Sequence, residues 1–195
     1  MEIKIIETSD MHGYVLPTNY AERNLDLGFS TAKAATIIKK IKKEAKGPVI
    51  QIENGDFIQG SPLSYYVRKQ GHHIAHDLTK VLNYLEYDLG ILGNHEFNYG
   101  LDYLREAIES YNHPIICANI LSKTGEQVFG EPYRIIEKEG VKIAVLGLTT
   151  PYIPKWEQPA TVKDLTFVSA LETAQKYVEL GAERLGTSSG IDIVK

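Results

Sequence analysis

Four short apolar runs, each broken off by a cluster of polar residues, constrain this chain more than any other feature. Residues 2–8 end at Thr8-Ser9-Asp10-Met11-His12-Gly13, and Val49-Ile50-Gln51-Ile52 ends at Asn54-Gly55-Asp56. Residues 88–92 end at Gly93-Asn94-His95-Glu96, and residues 113–118 end at Asn119. Runs of this length, rich in Ile and Val and bounded by Gly, Asn and Asp, read as β-strands. Between them the period changes. Over residues 30–45, Ala34, Ile37, Ile38, Ile41 and Ala45 recur at helical spacing until Gly47-Pro48 stops the pattern. Residues 73–86 repeat the signal with Ile74, Leu78, Val81, Leu82 and Leu85, and helices are also expected over 100–110 and 169–180. Residues 14–27 form a polar connection. Two further strands, 132–138 and 141–148, flank the turn Glu139-Gly140, and a last one is expected at 191–194. Strands alternating with helices predict an α/β layer protein. In such sheets the carboxyl ends of the strands line the ligand crevice, so motifs far apart in sequence share one site.

Composition narrows the chemistry. The chain has 195 residues, 43% hydrophobic and 24% charged, enough to bury a core without covalent staples. A net charge of −4 leaves no electrostatic footprint for nucleic acid, and no run reaches the length of a membrane span. An acidic protein acting on anions needs local cations, and metal ions supply them. Cys117 is the only cysteine, so no intramolecular disulfide forms. Met1 leads directly into a strand, which reads as a cytoplasmic chain. A mature chain freed of a leader would look the same, leaving the periplasm or the cell exterior as the alternative. Oligomeric state is not legible.

Each polar cluster alone is weak. Asp10-x-His12 on an extended backbone would project both side chains to one side, yet such a pair commonly caps a turn. Gly55-Asp56 alone reads as an ordinary turn. Gly93-Asn94-His95-Glu96 is more specific: Gly permits a tight exit, Asn94 offers a carbonyl oxygen and His95 an imidazole. Glu96 reads as a solvent-facing or helix-start carboxylate. Together Asp10, His12, Asp56 and Asn94 form a mixed oxygen and nitrogen set suited to first-row divalent ions such as Mn, Zn, Fe or Co. A carboxylate such as Asp56 can bridge two ions about 3.5–4 Å apart, leaving His95 free as a proton donor or phosphate partner.

The strings "ETSDMHGYVLP", "NGDFIQGSPLSYY", "LGNHEFNYGLDYL", "CANIL" and "GLTTP" resemble the calcineurin-like metallophosphoesterases. The branch they resemble holds the bacterial 5'-nucleotidases and 2',3'-cyclic-nucleotide 2'-phosphodiesterases/3'-nucleotidases. The resemblance implies a four-layer α/β/β/α sandwich of two facing sheets flanked by helices. It implies two divalent metal ions, one held by Asp10, His12 and Asp56 and the other by Asp56 and Asn94. It makes His95 the catalytic histidine, Asn119 a residue near the site and a nucleotide the substrate. An aspartate commonly follows that histidine by three residues in the 5'-nucleotidase type. Asn98 stands there instead, a form of the cyclic-phosphodiesterase-like members, and orients the ring without adding charge.

Histidine runs of the type "HxG" and "GHxH", which supply further ligands in the family, are absent. Residues 191–194 look like the strand that would deliver the first of them. His72, His73, His76 and His113 are the other histidines, and His73 and His76 read best as exposed helix-start residues. Residues 1–195 are therefore expected to be the N-terminal portion of a catalytic domain, incomplete at its C-terminal side. The C-terminal nucleotide-recognition domain would be absent, and the chain itself weakly active or inactive. The alternative is a non-catalytic metal- or nucleotide-binding module. No phosphate-cradling G-x-x-x-x-G-K-[ST], no G-x-G-x-x-G and no G-x-S-x-G motif is present.

Overall fold

The computed structural model describes residues 2–71 and 75–181, without the side chains of residues 75 and 76. The strand expected at 191–194, His72, His73 and the side chain of His76 lie outside the described residues.

The four apolar runs form one parallel sheet in sequential order: β1 (Lys4–Thr8), β2 (Val49–Glu53), β3 (Leu89–Ile91) and β4 (Ile115–Ile116). Parallel neighbours need crossovers. These are supplied by α1 (Thr31–Glu44) after β1, by α2 (Pro62–Lys69) and α3 (Ala75–Leu85) after β2, and by α4 (Leu101–Ser110) after β3. Helix α2 was not expected from periodicity. Its start is nonetheless written in Ser61-Pro62-Leu63-Ser64, where Ser61 accepts from the Ser64 amide and Ser64 reciprocates, with Pro62 in the first turn. Leu78, Leu82, Leu85, Tyr103 and Leu104 pack with Phe57, Ile58 and Phe97 into a core between helices and sheet.

The sheet's other face is covered by a hairpin, β6 (Tyr133–Lys138) and β7 (Val141–Leu146). Its turn, Glu139-Gly140, has φ of 51° and 77°, the positive values a tight two-residue connection requires. Ile136, Ile143 and Val145 pack on Ile50, Ile52, Leu89, Ile91 and Ile116, which places two sheets face to face. Lys138 secures the hairpin, reaching both Asp88 (2.6 Å) and the Val49 carbonyl (2.8 Å). A second small antiparallel pair was also not expected: β5 (Ile120–Ser122) with β8 (Leu165–Phe167). The short helices α5 (Ile153–Trp156) and α6 (Pro159–Val162) precede β8, and α7 (Ala170–Glu179) follows it. Helix α7 meets the hairpin's outer face where Tyr177 packs edge-on against Tyr133. The α/β class is thus observed, with helices on one face of the parallel sheet and the hairpin on the other, and α7 touching the hairpin at that pair. Among the described residues no helix is long and apolar enough to cross a membrane.

His113 is buried under the sheet, stacked on Tyr111, with neither ring nitrogen bonded to a protein group. It is not among the metal-competent residues described below. Burial pushes its imidazole down to about 4, against an ordinary value near 6.5. The unfolded chain therefore binds one more proton between those values, and stability falls as pH drops from about 6.5 to 4. In His113→Phe that part of the pH dependence is expected to disappear. Unfolding free energies of both proteins across this range would test it, and a constant difference between them would refute it.

Candidate metal centre

The carboxyl ends of β1, β2 and β3 lie side by side, and their exit loops are stitched to one another through backbone. The Asp10 amide donates to the Gly55 carbonyl (3.1 Å), and the His12 amide donates to the Asp56 carbonyl (2.8 Å). Between the second and third loops the approach is closer still. A Cβ on Gly55 would lie 2.2 Å from the Gly93 amide nitrogen, and one on Gly93 would lie 2.3 Å from the Asp56 carboxylate. Only glycine fits at either position.

Glu96 locks that approach. It lies in a single 3-10 turn (His95–Phe97), is 4% exposed, and folds back under the loop. Its carboxylate accepts from the amides of Asp56 (2.7 Å), Phe57 (2.8 Å) and Gly93 (2.8 Å), with Ile58 at 3.4 Å. Burial pushes its carboxyl above the usual range, the nearby Asp56 adds to that, and the amides pull it back. Glu96 thus stands at a helix start, as one reading of the sequence had it, but buried rather than facing solvent, and its role is structural. Strand exits at Gly55 and Gly93 turn amides inward without partners, and a carboxylate three residues after Gly93 is within reach to satisfy them. Glu53 is a second residue the sequence did not flag. It is buried at the end of β2, accepts from the Gly55 amide (3.1 Å), and has its carboxyl raised by burial and then by Glu96.

On this platform His12, Asp56 and His95 converge, each offering one ligand atom, all within 4.8 Å of one another. The two imidazoles meet edge to face at 4.9 Å. The His12 Nδ1 lies 2.7 Å from the Gln59 carbonyl, so it carries the proton and Nε2 is left as the electron-pair donor. Asp56 is 8% exposed, accepts from the His95 amide (2.7 Å), and has its carboxyl raised by burial. Asp10 is exposed, with one carboxylate oxygen 3.9 Å from His12 Nε2. The three side chains form a group able to hold a metal ion, and Asp10 stands at its rim.

Asp10 and His12 do approach, but not by the route expected. Their φ values are 55° and 48°, left-handed rather than extended, and Asp56 has φ 60°. Among the described residues seven non-glycines have positive φ, and three of them are these candidate ligands. Asn, Asp and His tolerate this region better than other residues, and strained backbone clusters at functional sites. Asn94 stands half-buried between Gly93 and His95, and its side chain makes no capping hydrogen bond. His95 Nδ1 lies 2.7 Å from Asn98 Oδ1. Asn119 is fully buried at the end of β4. Its amide donates to the Thr149 (2.8 Å) and Val168 (3.0 Å) carbonyls and accepts from the Thr149 amide (2.9 Å), tying three loops together.

Residues 3–175 match the calcineurin-like phosphoesterase family, and the chain belongs to it. It is 35% identical over 205 residues to a 2',3'-cyclic-nucleotide 2'-phosphodiesterase/3'-nucleotidase of Salmonella typhimurium, covering 100% of this chain and 31% of that protein. It is 34% identical to the trifunctional nucleotide phosphoesterase protein YfkN of Bacillus subtilis, over 94% of this chain and 14% of that protein. The putative 5'-nucleotidase from Staphylococcus aureus superposes with a TM-score of 0.84 at 36% identity, over 91% of this chain and 34% of that one. The chain thus spans 31% or less of the length of these curated relatives. The family's enzymes use divalent metals, and the His12, Asp56 and His95 group is a site able to hold one.

Proposed function

We propose that this chain is the N-terminal portion of the catalytic domain of a metal-dependent nucleotide phosphoesterase. The substrate class is a nucleoside 2',3'-cyclic phosphate with the 3'-nucleotide it yields, or a 5'-nucleotide. One observation carries the reading: donor atoms of His12, Asp56 and His95 lie within 4.8 Å at the exits of adjacent parallel strands. In it Asp10, His12 and Asp56 would hold one ion and Asp56 and Asn94 would contribute to a second, with His95, the third member of the converging group, left beside them to serve the phosphoryl group. Divalent ions, when bound, make a water nucleophilic at neutral pH and neutralise charge on phosphoryl oxygens. The residues of this chain do the remainder. Asp56 keeps its carboxylate aligned through the His95 amide, and Glu96 keeps the loops beneath it from drifting. Asn98 orients His95, whose other nitrogen then serves the phosphoryl oxygen by hydrogen bonding or proton transfer. Asn119 supports the site by fixing strand ends rather than by a free amide.

The test is release of phosphate or of ring-opened nucleotide from nucleoside 2',3'-cyclic phosphates and 5'-monophosphates, with Mn²⁺ or Zn²⁺ present. It is run on this chain and on a longer protein carrying it. Turnover is expected from the longer protein, and little or none from the 195 residues alone. Failure of the longer protein on both substrates would reject the reading. Binding of one ion and of nucleotide without turnover would favour a non-catalytic module instead.

A further inference from the structure

His95 is not held by Asn98 alone. Behind Asn98 stands Glu157, separated from it by 59 residues, and the Asn98 Nδ2 donates to Glu157 Oε1. Glu157 follows the short helix α5, where its amide donates to the Ile153 carbonyl (3.0 Å), and Ile153 is fully buried in the core. The carboxylate is thus carried by a well-anchored turn, although the group itself is only half-buried.

An asparagine amide has two unlike ends, an oxygen that accepts and a nitrogen that donates, and on its own it presents either end to a neighbour. An ionised carboxylate only accepts. Glu157 therefore selects one orientation, with Nδ2 toward itself and Oδ1 toward the ring. Facing an oxygen at 2.7 Å, His95 Nδ1 must be the nitrogen that carries hydrogen, which leaves Nε2 as the working nitrogen. We infer that Glu157 is a positioning residue that sets the tautomer of His95 through Asn98. An aspartate at position 98 presents oxygen whichever way it turns and needs no such partner. With asparagine there, the negative charge has moved one residue further from the ring, and the amide transmits orientation instead.

This inference rests on the phosphoesterase reading for its purpose, not for its test. Histidine side-chain ¹⁵N shifts separate the two neutral tautomers. They are recorded on the whole 195-residue chain at a pH where the ring is neutral, without added metal, since an ion on Nε2 would itself fix the tautomer. The unsubstituted chain is expected to show His95 almost wholly protonated at Nδ1. Glu157→Ala should lower the ratio of the Nδ1–H to the Nε2–H form about threefold, the size of one charge-assisted hydrogen bond weakened by the exposure of Asn98. Glu157→Gln keeps an acceptor oxygen and should fall between the two. In the Asn98→Asp background Glu157→Ala should leave the ratio unchanged, because a carboxylate has no wrong end. An unaltered ratio in Glu157→Ala, or an equal change in both backgrounds, would overturn the proposal, the second result indicating a merely structural contact. No turnover is needed for this readout. A protein inactive on every phosphoester with the tautomer shift intact would defeat the functional reading and leave this one standing.

Discussion

Glu96→Ala is expected to lower the unfolding free energy by roughly 3–5 kcal/mol, as measured by chemical denaturation. The side chain accepts from the amides of Asp56, Phe57 and Gly93 inside a site where it is 4% exposed. Truncation leaves those amides buried beside an empty volume, and each unsatisfied donor costs about 1–3 kcal/mol. Water entering the volume offsets part of the loss, which is why the sum stays below three full penalties. For a domain whose total stability is of the order of 5–15 kcal/mol, the change is large. Glu96→Gln keeps one acceptor and turns an NH₂ group toward the remaining amides, so it should recover less than half. A loss below about 1 kcal/mol in Glu96→Ala would mean that the loops hold together without the carboxylate.

Asp56→Asn should separate binding from folding. The amide oxygen still accepts from the His95 amide, and burial already disfavours the charged form of Asp56, so stability is expected to change little. Affinity for Mn²⁺ or Zn²⁺, followed by titration calorimetry, is expected to fall at least about a hundredfold. Removing a group that only supports a ligand already costs 10–100-fold, and Asp56 is placed as the ligand itself. Unchanged affinity would remove Asp56 from the metal centre and leave His12, Asp10 and His95 to be tested in its place.

How far the sequence carried can be followed residue by residue. Strands and crossover helices were legible because periodicity records which side of an element is buried, as in Leu78, Leu82 and Leu85. Helix α2 escaped because it is short and presents Tyr65 and Tyr66 to solvent, so its capping box was its clearest signal. The pair β5 and β8 escaped because three-residue strands joined across more than forty positions leave no local pattern. At the site, residue types were legible and backbone was not. Asp10 and His12 were read as extended, since nothing local distinguishes a left-handed aspartate from any other. The burial of Glu96 and the whole of Glu53 escaped for one reason: their partners are amides, which every residue carries and no sequence pattern marks. Glu157 was invisible for another, because its link to Asn98 spans 59 residues and depends on the tertiary fold alone.

The left-handed backbone at Asp10, His12 and Asp56 has a consequence for how such a site can change over evolutionary time. At each position a substitution must satisfy the chirality of the main chain as well as the chemistry of the ion. β-Branched side chains are strongly disfavoured by the first demand before the second is reached. Glycine meets the backbone and forfeits the ligand. Asparagine, aspartate and histidine satisfy both, so the mutational neighbourhood of the centre consists largely of exchanges among these three. The site can therefore drift in charge and in metal preference while its loops keep the same path.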